Sequence, residues 1–162
     1  MAEATRRSKA HKQTHPLICI PRIVVQKSLE RGLLRRAKIG YPKEYVEAIF
    51  GKYYPRRHLI EIHALMDVVH KSNPNAVYYD EDEVKISKEW AKENNLEWLG
   101  TVHSHTAENT FAEASICDHH GGYASGELVS GVLVIKQCEG SKRYWSKIYW
   151  WIPQGKIQVH YT

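Results

Sequence analysis

Gly100-Thr101-Val102-His103-Ser104-His105-Thr106-Ala107-Glu108-Asn109-Thr110-Phe111-Ala112-Glu113-Ala114-Ser115-Ile116-Cys117-Asp118-His119-His120 holds four of the ten histidines of this chain. Its first part reads as the end of a buried strand, Trp98 to Val102, that delivers His103 and His105. Side chains alternate between the two faces of an extended chain, so these two imidazoles leave on one face and make half of a metal site. After a loop over 106–114, Ser115 and Asp118 stand three apart at an expected helix start, which puts them on one face of its first turn. Two histidines and one carboxylate leave a coordination position open, the feature that separates a catalytic zinc site from a closed structural one.

The elements on either side alternate between strand and helix patterns. Before the stretch, Ser87 to Asn95 predicts a helix capped by Ser87, and Asp80 to Glu83 an acidic, solvated connector. Tyr45–Tyr54 and His58–Val69 predict a hairpin of two strands, and Asn73-Pro74-Asn75 a turn. Leu17–Val25 predicts a first strand with Pro21 at an edge or bulge, followed by a helix over 28–37 with apolar positions 29, 33 and 37, capped by Ser28 and ended by Gly40-Tyr41-Pro42. After the stretch, Leu128–Gln137 and Tyr144–Ile152 predict strands around a turn at Gly140-Ser141-Lys142, and Ile157–Tyr161 a last strand pairing back across Pro153-Gln154-Gly155. This order predicts an α/β (α+β) fold, a mixed β-sheet with flanking helices, in a single domain over residues 17–162.

Composition sets the surroundings. A chain of 162 residues buries roughly two-thirds of the surface it exposes when unfolded, enough to fold without staples. Three cysteines, Cys19, Cys117 and Cys138, form no Cys-x-x-Cys pair and suggest neither a disulfide framework nor a thiolate cluster, so a reducing, cytoplasmic setting is expected. No apolar run approaches the ~20 residues of a membrane span, and the N-terminal residues lack the apolar core of a signal peptide. The net charge of +5 is concentrated at the start, where Arg6, Arg7, Lys9 and Lys12 face the single acid Glu3, and residues 1–16 are expected to be a disordered basic tail.

The series Gly100-Thr101-Val102, His103-Ser104-His105 and Ser115-Ile116-Cys117-Asp118 resembles the motif of the JAMM (MPN-plus) zinc metalloproteases, His-x-His followed by Ser-x-x-Asp. Tyr41-Pro42-Lys43-Glu44-Tyr45-Val46 is similar to the family segment that carries a catalytic glutamate after the first helix. The resemblance runs over roughly residues 18–152. It implies a JAB/MPN-like (cytidine-deaminase-like) fold in which His103, His105 and Asp118 hold one Zn²⁺, Glu44 deprotonates the bound water, and Ser115 donates to the oxyanion. The implied reaction is hydrolysis of an isopeptide or peptide bond after the C-terminus of a ubiquitin-like protein. Two departures stand out: Thr106 replaces the family's usual proline, and the connection 106–114 is longer than usual, which reads as a loop insertion.

Other assignments compete for these residues. Glu47 competes with Glu44 as the base; Ser115 suits an N-cap and Asp118 a helix-dipole partner. His119 is an alternative third ligand because it neighbours Asp118; Asp118-His119-His120 also resembles a phosphoesterase signature, but the aspartate motifs that such enzymes carry near the N-terminus are missing. Cys117 is expected to be a buried filler and the aromatic run Tyr144–Trp151 sheet packing. Alternative functions are a catalytically silent MPN-type interaction module and, given the basic tail, a metal-dependent hydrolase acting on nucleic acid.

Overall fold

The computed structural model describes residues 16–38, 44–68, 71–73, 76–105, 126–153 and 157–162. Among these, nine strands and two α-helices follow in the order β1 (Leu17–Ile20), α1 (Arg22–Lys38), β2 (Val46–Tyr54), β3 (Leu59–Asp67), β4 (Lys71–Asn73), β5 (Ala76–Tyr78), α2 (Glu81–Glu93), β6 (Glu97–His105), β7 (Val129–Gln137), β8 (Tyr144–Trp151) and β9 (Gln158–Tyr161). Seven strands make one sheet in the order β8-β7-β6-β2-β3-β1-β9, and β4 pairs with β5 in a separate small hairpin. Within the large sheet β6–β7, β1–β3 and β1–β9 are parallel, while β2–β3, β2–β6 and β7–β8 are antiparallel. The expected mixed sheet with flanking helices is thus the observed α+β architecture.

One face of the sheet lies under α1, whose Val24, Val25, Leu29 and Leu33 pack against a core that includes Ile18, Ile20, Ile49, Leu99, Val102, Leu133 and Ile135. Small residues let the helix come close. A Cβ at Gly32 would stand 2.4 Å from the Tyr45 hydroxyl and 2.8 Å from Leu133, and Ser28 is fully buried. The other face carries α2, where Ala91 packs with Ala48, Phe50 and Trp98 in a second core, and the Trp90 ring lies 4.7 Å from that of Phe50.

Five expectations are corrected. The strand expected over Leu17–Val25 ends at Ile20, because Pro21 opens a helix: its carbonyl accepts from the amides of Val24 (3.0 Å) and Val25 (3.4 Å). The valines that suit a strand instead extend the apolar stripe of α1, which begins at Arg22 and not at 28, so Ser28 lies inside the helix and is no cap. The acidic run at 80–83 is largely exposed, as expected, but is not a connector. Asp80 is the N-cap of α2 and accepts from the Glu83 amide at 3.0 Å, with Glu81, Asp82 and Glu83 in the first turn, where carboxylates complement the helix dipole. Ser87, expected as the cap, is buried mid-helix and hydrogen-bonds the Tyr79 hydroxyl at 2.5 Å. Finally, β9 does not pair with β8 but lies at the opposite edge, parallel to β1. There it satisfies groups at the β1–α1 junction: Thr162 donates to the Ile20 carbonyl (3.0 Å) and accepts from the Arg22 amide (2.8 Å), one of the donors a helix start leaves unpaired.

The hairpin β2–β3 forms as expected, with Pro55–Arg57 as a 3₁₀ turn and His58 left-handed at φ 47°. Strands β7 and β8 match their expected spans within a residue or two. The tail 1–15, the helix end at Gly40–Pro42 and the helix start at Ser115 lie outside the described residues.

Candidate metal centre

A bulge in β6 decides which face of the sheet receives the histidines. Ile49 of β2 pairs with Gly100 but Phe50 pairs with Trp98, so Leu99 is an extra residue. The inserted residue resets the alternation beyond it. Leu99 and Val102 both join the core under α1, and Thr101, His103 and His105 fall on the α2 face. Without the bulge, strict alternation from Trp98 would send both histidines under α1. Gly100 permits the bulge: its φ is +147°, and a Cβ there would stand 2.0 Å from the Val129 carbonyl oxygen.

On that face the two imidazoles converge. The Nε2 atoms of His103 and His105 are 3.2 Å apart, with the rings at 52° and their centroids at 5.1 Å. At this separation at least one Nε2 presents a lone pair: either one ring donates to the other, or both turn lone pairs toward a shared cation. Two nitrogens on a tetrahedral zinc with bonds of about 2.0–2.1 Å lie about 3.3–3.4 Å apart. The pair therefore fits two adjacent positions of such an ion with a small adjustment. His105 is buried and His103 half-buried.

Strand β2 brings up a carboxylate. Val46 pairs with His103, and the pairing continues outward: the Ser104 amide donates to the Tyr45 carbonyl and the Tyr45 amide to the Ser104 hydroxyl, both at 2.9 Å. Carried two residues beyond the last observed pair, this register would set Glu44 opposite His105 on the face of the histidine pair; Glu44 has only 5% of its surface exposed. Directly opposed residues of an antiparallel pair have Cβ atoms about 4.5–5.5 Å apart.

Glu47 is excluded from the site by the same alternation. It lies fully buried on the α1 face, where its carboxylate accepts from Ser28 Oγ (2.5 Å) and Arg31 Nε (2.7 Å). Arg31 Nη2 also donates to the Leu65 carbonyl at 2.8 Å, and the Glu47 hydrogen bond raises the guanidinium pKa further. Glu47 is an anchor for α1, so of the two competing glutamates Glu44 alone shares a face with the histidines.

A polar group that sequence reasoning missed lies one pair along the strands. The carboxylate of Glu127, nearly buried, accepts from Thr101 Oγ1 at 2.7 Å and from Ser130 Oγ, tying β6 to β7 next to His103. Its signal in the sequence was slight, a single acid in Ser125-Gly126-Glu127-Leu128 before an apolar strand. Trp151, expected to be sheet packing, meets the His103 ring edge-on, with centroids 6.3 Å apart at 83°.

Among the described residues no group of three or more His, Cys, Asp or Glu side chains is arranged to hold a metal ion. The structure brings His103 and His105 together and buries Glu44 two residues before Val46, the partner of His103; Ser115, Asp118, Cys117 and His119 lie outside the described residues. Cys19 and Cys138 are free thiols. No described helix is long and apolar enough to cross a membrane.

No protein-family model matches the chain, and no curated protein does. A solved structure does: protein DSY2949 from Desulfitobacterium hafniense, a structural-genomics target determined in solution, is similar over 90% of this chain and 94% of its own, with a TM-score of 0.59 and 18% sequence identity. At that identity the likeness is one of fold alone, and in fold this chain is similar to DSY2949.

Proposed function

We propose that the chain is a zinc-dependent metallo-isopeptidase or peptidase of the JAMM (MPN-plus) type with a JAB/MPN-like fold, acting on amide bonds after the C-terminus of a ubiquitin-like protein. The observation that carries this reading is the convergence of His103 and His105, Nε2 to Nε2 at 3.2 Å, with a buried Glu44 that the register of β2 and β6, carried on, would set opposite His105. In the reading, Asp118 completes the ligand set. It lies in the connection that leaves β6 directly after His105 and must return to the start of the parallel strand β7. With the two histidines and Asp118 as ligands, Glu44 is left for proton transfer in this reading.

The ion supplies Lewis acidity, polarising the scissile carbonyl and making water acidic near neutral pH. The residues of the chain divide the remaining work. The Nε2 lone pairs of His103 and His105 fix the ion's place at the end of a rigid strand. Glu44 takes a proton from the attacking water as its oxygen bonds to the carbonyl carbon, and gives it to the leaving nitrogen as the C–N bond breaks. Ser115 donates a hydrogen bond to the oxyanion that develops between these steps.

Purified protein is expected to carry zinc, and to cleave a reporter fused after the C-terminus of a ubiquitin-like protein in a chelator-sensitive manner. Glu44→Gln is expected to keep the zinc and lose at least about 100-fold in rate, the lower end for a general base. Protein without affinity for zinc refutes the reading, and unchanged cleavage in Glu44→Gln removes Glu44 from it.

A further inference from the structure

The His103 ring has a neighbour that no part of the reaction uses. Strand register draws two lines across β6, β7 and β8 on the site's face: Thr101, Ser130 and Trp151 in one, His103, Val132 and Tyr149 in the next. Tyr149 is the residue in line with His103, yet the ring that meets His103 is the indole of Trp151, reaching diagonally from the adjacent line. The residue between Thr101 and Trp151 is the small Ser130, whose hydroxyl is turned to Glu127. The rings meet at 83° with centroids 6.3 Å apart, an edge-to-face contact, which is the favoured geometry for aromatic pairs. His105 is tilted at 52° to His103 from the other side.

We infer that Trp151 is a positioning residue for the metal site: its edge-to-face contact fixes the plane of the His103 imidazole so that Nε2 points at the place shared with His105 Nε2. The inference rests on the metal-site reading above. A strand residue fixes where an imidazole begins but leaves rotation about its last side-chain bond open. An indole at right angles to the ring restricts that rotation by shape and quadrupole. Residues that orient a metal ligand typically change metal affinity 10- to 100-fold. An apolar contact belongs at or below the lower end of that range.

The test compares wild type, Trp151→Leu, Trp151→Phe and, as a control on the same strand and face, the exposed Trp145→Leu. Zinc affinity is measured by competition with a chromophoric chelator, and the His103 ring protons are followed by NMR in metal-free protein. Trp151→Leu is expected to weaken zinc binding about 3- to 10-fold and to shift the His103 resonances. Trp151→Phe, which keeps an aromatic edge, is expected to recover most of the affinity, and Trp145→Leu to leave it unchanged. Equal zinc affinity in wild type and a folded Trp151→Leu overturns the inference while leaving the metal site standing. So does a loss that Trp151→Phe fails to recover although its urea midpoint matches wild type, because an aromatic edge is then not what orients the ring. Wild type that binds no zinc refutes the metal-site reading itself, a result that these arms separate from the others.

Discussion

Replacing Gly100 by alanine tests whether the bulge in β6 holds the histidines on their face. The added Cβ would stand 2.0 Å from the Val129 carbonyl oxygen, 3.1 Å from the Val129 carbonyl carbon and 3.2 Å from Glu127 Cβ. Carbon and oxygen normally approach no closer than about 3.3 Å, so backbone must move by about 1.3 Å. The obstacle is the β7 backbone and not the end of a flexible side chain. Holding a residue with a Cβ at φ +147° costs of order 1–3 kcal/mol, and overpacking adds about 1–3 kcal/mol. The sum, about 2–6 kcal/mol, is a large part of the ~5–15 kcal/mol that holds a domain together. Urea titration followed by tryptophan fluorescence reads the loss as a lower midpoint at unchanged slope. If the variant folds, relief by sliding β6 against β2 would turn His103 and His105 toward α1 and abolish zinc binding. A Gly100→Ala protein within about 1 kcal/mol of wild type that retains zinc would refute the reasoning.

The remaining predictions concern the scaffold. Glu47→Ala leaves the Arg31 guanidinium and Ser28 hydroxyl without their buried acceptor; because Arg31 is about a third exposed, the expected cost is about 2–3 kcal/mol in chemical denaturation, below the usual range for breaking a fully buried pair. Asp80→Ala removes the α2 cap and is expected to cost about 1 kcal/mol, with Asp80→Asn recovering most of it. Burial pushes the Tyr45 phenol above the usual tyrosine range, so the folded state holds this proton more tightly than the unfolded chain does. Stability from this residue is therefore complete below about pH 10 and falls as pH rises beyond it, a slope that Tyr45→Phe is expected to remove when denaturation midpoints at pH 9 and 11 are compared. Since the buried Tyr45 hydroxyl has no hydrogen-bond partner among the described residues, Tyr45→Phe is also expected to be neutral or slightly stabilising at neutral pH.

What the sequence disclosed follows the range of the interactions involved. The period-two spacing of His103 and His105 was legible because alternation is local. The same alternation could have settled Glu44 against Glu47, since Glu44 falls with Val46 and Ala48 and Glu47 with Tyr45 and Ile49. The bulge was not legible: Leu99-Gly100 reads as ordinary strand, and only the register against β2 reveals the extra residue. Local propensity misled at Ile23-Val24-Val25, where burial of one stripe under α1 outweighs the β preference of branched residues. At Asp80–Glu83 the helix signal is present as cap and dipole partners, but a run of four acids reads equally well as surface charge. The place of β9 depends on which edge of the sheet remains open, and no local pattern records that.

That last strand bears on how the molecule is assembled in time. Leu17 and Gln158, which pair in register, are roughly 140 residues apart along the chain. During synthesis β1 is the first described element to emerge and β9 the last, so the edge of β1 that β9 covers stays open until β9 has emerged. Such distant parallel pairing closes slowly and leaves a strand edge free to find other partners meanwhile. The opposite half of the sheet joins β6, β7 and β8 over far shorter separations. The floor beneath the histidine pair can therefore form before the far edge seals, with assembly of the site running ahead of completion of the fold.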